Sequence, residues 1–133
     1  MTLVCLDTSF LVDLVRRNPA AEKKLQFYRE RDEPLKTTAI SAAELFEGAY
    51  SIKGRRGELE MVRATLEHLE LLELSIPVCE KYGSLTNELG SKGSPIGDLD
   101  ALIASTAIVH RQILLTKNKK HFDRVRGLVT ESW

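Results

Sequence analysis

Cysteine, histidine and any surplus of charge are scarce in this chain, which has two Cys, three His and equal counts of acid and base in 133 residues. Cys5 and Cys79 are too few for a disulfide framework and lack metal-site spacing, which excludes a disulfide-stapled scaffold and makes a reducing cytoplasm the expected compartment. With 19 Lys+Arg against 19 Asp+Glu there is no global basic field, so any nucleic-acid binding must come from a local patch. No apolar run approaches the roughly 18 residues that span a bilayer. The opening stretch has no basic n-region and soon meets Asp7, so no signal peptide is expected. Internal repeats, low-complexity tracts, linkers and a Gly-rich phosphate loop are all missing. What is present is a globular composition, 43% hydrophobic and 29% charged, of a length for one domain over residues 1–133.

Short apolar runs alternate with helical patterns. Leu3 to Leu6 reads as a buried strand ending at Asp7, and Phe10, Leu11, Leu14 and Val15 recur at helical spacing until Asn18-Pro19 stops them. A second helix is expected over Ala20–Arg31, with Leu25 and Tyr28 inward, and a strand follows Pro34 over Leu35–Ile40. Ser41 opens Ser-Ala-Ala-Glu, an N-cap signature, and Leu45, Phe46, Ala49 and Ile52 form that helix's apolar face. A polar turn at Gly54–Gly57 leads to a helix over Glu58–Leu69 and a strand at Leu71–Leu74. Pro77 then sits in the first turn of a helix that repeats Val78, Tyr82, Leu85 and Leu89. Beyond a Gly/Ser/Pro loop at Gly90–Gly97, the segment Asp98–Val109 is apolar nearly all round and should be buried. Ile113–Thr116 and Leu128-Val129 complete the strands. This alternation predicts an α/β fold with a mostly parallel sheet and helices on both faces.

Sheets of that kind bind ligands at the carboxyl ends of their strands. Asp7 ends the first strand, and Glu44 lies in the first turn of the helix after the second. Asp98 and Asp100 open the buried helix, and Asn118 follows the strand Leu114-Leu115-Thr116. The fold would bring all five to one edge. Clustered carboxylates repel, so a cation should hold them together. Oxygen donors without Cys or paired His favour Mg²⁺, with Mn²⁺ able to substitute, over Zn²⁺. Such an ion polarises a phosphate and lowers the pKa of bound water, which is the apparatus of phosphodiester hydrolysis. Thr8, Ser9 and Thr116 read as hydroxyls that orient a carboxylate or a water.

Four motifs stand in order: Asp7-Thr8-Ser9 after a first strand, Ser41-x-x-Glu44, Gly97-x-x-Asp100-x-x-Ile103-Ala104, and Leu115-Thr116-x-Asn118-x-x-His121-Phe122. In length, order and spacing the chain resembles the PIN-domain ribonucleases, and is most similar to the VapC toxins of VapBC toxin–antitoxin modules. The resemblance implies a three-layer α/β/α fold, Mg²⁺-dependent endoribonuclease activity on RNA, a homodimer, and neutralisation by a cognate VapB-like antitoxin. It carries Asp7, Glu44 and Asp100 over as the acidic, metal-holding site, with Asn118 where many members have Asp. Asp98 has no counterpart in that pattern. Lys117, Lys119, Lys120, Arg124 and Arg126 then read as a basic rim for RNA phosphates beside the acidic site.

Plainer readings compete with these. Asp7 could cap the next helix through the Thr8 and Ser9 amides, Glu44 could close a capping box onto Ser41, and Asp98 could be an N-cap. The lysines could be a solvated face. His121 could touch phosphate or cap a helix, Cys5 is a small strand hydrophobe, and Trp133 could meet a partner chain. At the level of function, the alternative is a non-catalytic RNA- or partner-binding module of the same fold. A haloacid-dehalogenase-type phosphatase would want Asp-x-Asp after the first strand, where this chain has Asp7-Thr8-Ser9.

Overall fold

Five short parallel strands, β1 (Val4–Leu6), β2 (Leu35–Thr38), β3 (Glu70–Leu72), β4 (Ile113–Leu115) and β5 (Thr130–Glu131), make one sheet in the order β3-β2-β1-β4-β5. They come from a computed structural model that describes residues 3–53 and 55–133. Seven helices among the described residues connect and cover them: α1 (Thr8–Val15), α2 (Pro19–Glu30), α3 (Ala39–Tyr50), α4 (Arg55–Glu67), α5 (Ile76–Ser91), α6 (Asp98–Val109) and α7 (Lys119–Phe122). The chain winds outward from the central β1 to β2 and β3, then crosses back to β4 on the other side of β1. The strand order therefore reverses between β1 and β4, and that switch point is where a doubly wound sheet opens a crevice. None of the described helices is long and apolar enough to cross a membrane.

The period-two alternation of the strands builds two cores. Cys5 and Leu114 face a cluster with Leu85 and Leu89 of α5, Ile103 and Ala104 of α6, and Phe122 of α7. Val4, Leu6 and Leu115 face the opposite cluster, with Phe10 and Leu11 of α1, Tyr28 of α2, Leu45 of α3 and Val62 of α4. Each fully buried large apolar side chain contributes about 1.5–3 kcal/mol of transfer free energy, so both faces of the sheet are stabilised. The nearly all-apolar α6 is buried as expected, and its Ser105 and Thr106 hydroxyls donate back to the carbonyls of Ala101 and Leu102 at 2.7 Å. Burial also pushes the Cys5 thiol up to about 12, which leaves it inert.

The observed elements depart from the sequence expectation at several ends. The second strand stops at Thr38, whose hydroxyl caps α3 by accepting from the Ser41 amide at 2.9 Å. Ser41 is therefore inside the first turn, and the expected N-cap sits three residues too late. The strand and the cap both use Thr, a good β-former and a good cap, so sequence pattern alone placed the boundary late. Ile52 lies beyond α3 and is exposed. Arg55 to Gly57 are already helical where a turn was expected, and Gly54 lies outside the described residues. The last strand is Thr130–Glu131, since Leu128 packs into the first core and Val129 is exposed. Trp133 packs within the chain, edge-on to Phe10 with ring centroids 4.8 Å apart.

Candidate active site

The crevice at the switch point is an open cleft of about 300 Å³ lined by Asp7, Thr8, Ser9, Val12, Asp13 and Arg16 from one side and by Glu44, Asp100, Lys117 and Asn118 from the other. Asp7 follows β1 directly and starts α1 by its backbone, with its carbonyl accepting from the Phe10 and Leu11 amides. Its side chain makes no helix-cap hydrogen bond, which removes the capping reading. Instead, Oδ2 of this buried carboxylate accepts from Ser9 Oγ at 2.9 Å and Thr116 Oγ1 at 2.7 Å. Both hydroxyls are themselves oriented, because Ser9 Oγ accepts from the Lys117 amide and Thr116 Oγ1 from the Asn118 amide, each at 3.0 Å. Two backbone amides after β4 thus fix a carboxylate after β1.

Glu44 is held by the other flank of α1. Thr8 Oγ1 donates to Glu44 Oε1 at 2.7 Å and lies 2.9 Å from Ser41 Oγ. The capping-box reading of Glu44 fails with the cap at Thr38, and the carboxylate is free to serve the cleft. Asp100, in the first turn of α6, pairs through Oδ2 with His121 Nε2 at 3.0 Å. Burial raises the pKa of Glu44, the Thr8 hydrogen bond opposes this, and the charges of Asp100 and Asp7 raise it further. Burial likewise raises Asp100, against the lowering influence of His121, and Asp7 adds to the rise. The three carboxylates are close enough to feel one another.

The remaining sequence candidates scatter. Asn118 lines the cleft as the N-cap residue of α7, and its side chain makes no cap bond. Asp98 is outside the cleft lining: Gly97 is the N-cap of α6, and Asp98 accepts from the Tyr82 hydroxyl at 3.3 Å. Of the basic residues, Lys117 lines the cleft, while Lys119 reaches the Thr130 carbonyl and Arg124 the Pro95 carbonyl. Lys120 is exposed. Three cleft residues escaped the sequence reading, Val12 and the charged Asp13 and Arg16. Asp13 stands four residues after Ser9 within α1, and that i, i+4 relation was the signal that could have found it.

A PIN domain profile matches residues 4–128, nearly the whole described chain. The chain belongs to the PIN domain family. Among curated relatives of this PIN domain is Ribonuclease VapC2 of Rickettsia felis, 31% identical over 128 residues that cover 96% of each chain. Ribonuclease VapC1 of Haemophilus influenzae is 29% identical over 130 residues, again with 96% of each chain covered. Among solved structures, VapBC2 of Rickettsia felis bound to a promoter DNA fragment matches with a TM-score of 0.91 at 30% identity, covering 98% of both chains. VapBC of Salmonella typhimurium bound to DNA matches at 0.89 and 26%, covering 100% of this chain and 99% of that one.

The PIN domain's donor set is chemically suited to a hard divalent cation, being all oxygen and coupled in charge. Only one oxygen of each carboxylate has a protein partner among the described residues: Asp7 Oδ2, Glu44 Oε1 and Asp100 Oδ2. No three His, Cys, Asp or Glu among the described residues stand close enough to hold an ion as they are. Glu44 and Asp100 each take one other partner, Thr8 and His121.

Proposed function

We propose that this PIN domain is a Mg²⁺-dependent endoribonuclease, the toxin of a type II toxin–antitoxin module, acting in the cytoplasm as a homodimer that a VapB-like antitoxin silences. The observation that carries the reading is the meeting of Asp7, Glu44 and Asp100 from three separate elements in one cleft at the switch point of the sheet. The VapC names of the relatives and the VapBC assemblies among the structural matches support the toxin role. Asp7, Glu44 and Asp100 would hold Mg²⁺ or Mn²⁺, with Asn118 as a neutral fourth donor. When bound, the ion supplies an activated water and charge neutralisation at the phosphate. The chain's own residues do the rest. Ser9 and Thr116 keep Asp7 in one rotamer, and Thr8 keeps Glu44 in reach of the cleft. Lys117 offers an ammonium to the RNA backbone on the cleft rim, where its ion pair among the described residues is with Asp13.

Incubation of the purified chain with total RNA, in Mg²⁺ and in chelator, tests the reading. Discrete cleavage products that require Mg²⁺ and vanish in Asp7→Asn are expected. RNA bound but uncut in Mg²⁺ or Mn²⁺ would favour the non-catalytic module instead.

A further inference from the structure

Asp13 is a buried carboxylate in the acidic cleft that the proposed chemistry does not use. It lies one helical turn beyond Ser9 on the same face of α1, and its Oδ2 meets the Lys117 ammonium at 2.7 Å. Lys117 is therefore tied to α1 at both ends: its amide donates to Ser9 Oγ at 3.0 Å and its ammonium reaches Asp13. The Trp133 ring stands 5.8 Å from the same Nζ, and Phe10 of α1 supports that ring. A surface lysine normally loses rotamer freedom when it grips a ligand, but here the stem is laid along α1 before any ligand arrives.

The ammonium stands in ion-pair contact with Asp13, while over half of the Lys117 side chain remains in solvent and its N–H donors stay open to a ligand. Asp13 has the burial to be a strong anchor and the cleft has no other lysine among its lining residues. We infer that Asp13 is a positioning residue, which holds the Lys117 ammonium on the rim of the acidic cleft to grip one phosphate of the RNA backbone beside the scissile bond. This rests on the ribonuclease reading above. The grip aligns substrate against Asp7, Glu44 and Asp100 without adding net charge to the free cleft, because Asp13 balances Lys117 until phosphate arrives.

The test is steady-state RNA cleavage in Mg²⁺ over a salt series, with melting temperatures taken alongside. Lys117→Met should lower kcat/KM about tenfold, mostly through KM, and reduce the log–log salt slope of kcat/KM by about 0.7, the value for one single-strand phosphate contact. Lys117→Arg should keep the slope. Asp13→Asn should keep the slope too, since the ammonium remains, yet lose several-fold in kcat/KM. The double variant Asp13→Asn with Lys117→Met should be no worse than Lys117→Met alone, because Asp13 acts through Lys117. If Asp13→Asn does not fold, Asp13→Glu, which keeps the charge and shifts it by one methylene, carries the same comparison. Additive losses in the double variant, or an unchanged slope in Lys117→Met, would overturn the inference while wild-type cleavage upholds the ribonuclease reading. A wild-type chain that cuts no RNA would bring down that reading itself.

Discussion

Glu44 and Asp100 hold their protons more tightly than free carboxyls, whose ordinary values are 4.5 and 3.8, chiefly because each is partly buried. The sign of the consequence follows from proton counting. Between the ordinary and the raised pKa the native state binds more protons than the unfolded chain, so stability falls as pH rises through that interval and stays reduced above it. Without divalent ions, then, Asp100→Asn should melt a few degrees above wild type at pH 7 and lose that advantage near pH 4. Differential scanning fluorimetry with chelator checks this, and a variant that melts lower at pH 7 contradicts it. The same substitution should abolish Mg²⁺-dependent cleavage of RNA. Thr116 gives the opposite case. It is fully buried, donates to Asp7 and accepts from the Asn118 amide, so the near-isosteric Thr116→Val leaves that amide unmatched and Asp7 Oδ2 with Ser9 alone. About 1–3 kcal/mol of destabilisation is expected in urea titrations, together with a fall in kcat as Asp7 loses its fixed rotamer.

Helix ends in this chain obey a rule that its residue types disguise. Arg17, Asp32 and Arg111 adopt left-handed backbone angles, with φ of 57°, 50° and 54°, just past α1, α2 and α6. Each sits in a paired C-terminal hydrogen-bond motif, as where Arg111 donates to the Ile108 carbonyl and Gln112 to the Ala107 carbonyl. Glycine takes that conformation without the strain a side chain brings. Arg111→Gly should therefore raise stability by about 1 kcal/mol, visible as a higher urea midpoint at unchanged slope. A lower midpoint would mean that the arginine makes contacts that outweigh the strain. The boundaries the sequence misplaced were the starts of α3 and α4, where Thr38 serves both strand and cap and Arg55 to Gly57 are helical. Internal patterns were readable: α6 matched Asp98–Val109 residue for residue, because twelve largely apolar residues after Gly97 permit little else. The acidic trio was readable because strand ends and first turns are short-range features. Asp13 was not, since its partner Lys117 follows β4, far away in sequence, and no local pattern encodes that meeting.

At the scale of the whole molecule, zero net charge and an acidic cleft leave association to apolar surface. Tyr50 at the end of α3 and Ile52 just past it are 54% and 44% exposed, whereas Phe46 and Met61 are half-buried. Light scattering decides what this small patch does. A dimer at micromolar concentration is expected, and a monomer would sink the homodimer. An antitoxin arginine pairing with the cleft carboxylates should displace Mn²⁺, so saturating antitoxin should restore the free-ion paramagnetic resonance signal. Undiminished Mn²⁺ binding would exclude that route. The pairing of β1 with β4 has one more consequence, for a protein made on a ribosome. The first carboxylate of the site emerges early, but the hydroxyl and amides that set it belong to Thr116, Lys117 and Asn118, and Trp133 closes over Phe10 last of all. A nascent chain can arrange β3, β2 and β1 without owning a working cleft. Synthesis at roughly 5–20 residues per second leaves seconds between the first acid and the strand that completes it. The cleft is complete only once the residues that follow β4 have been made.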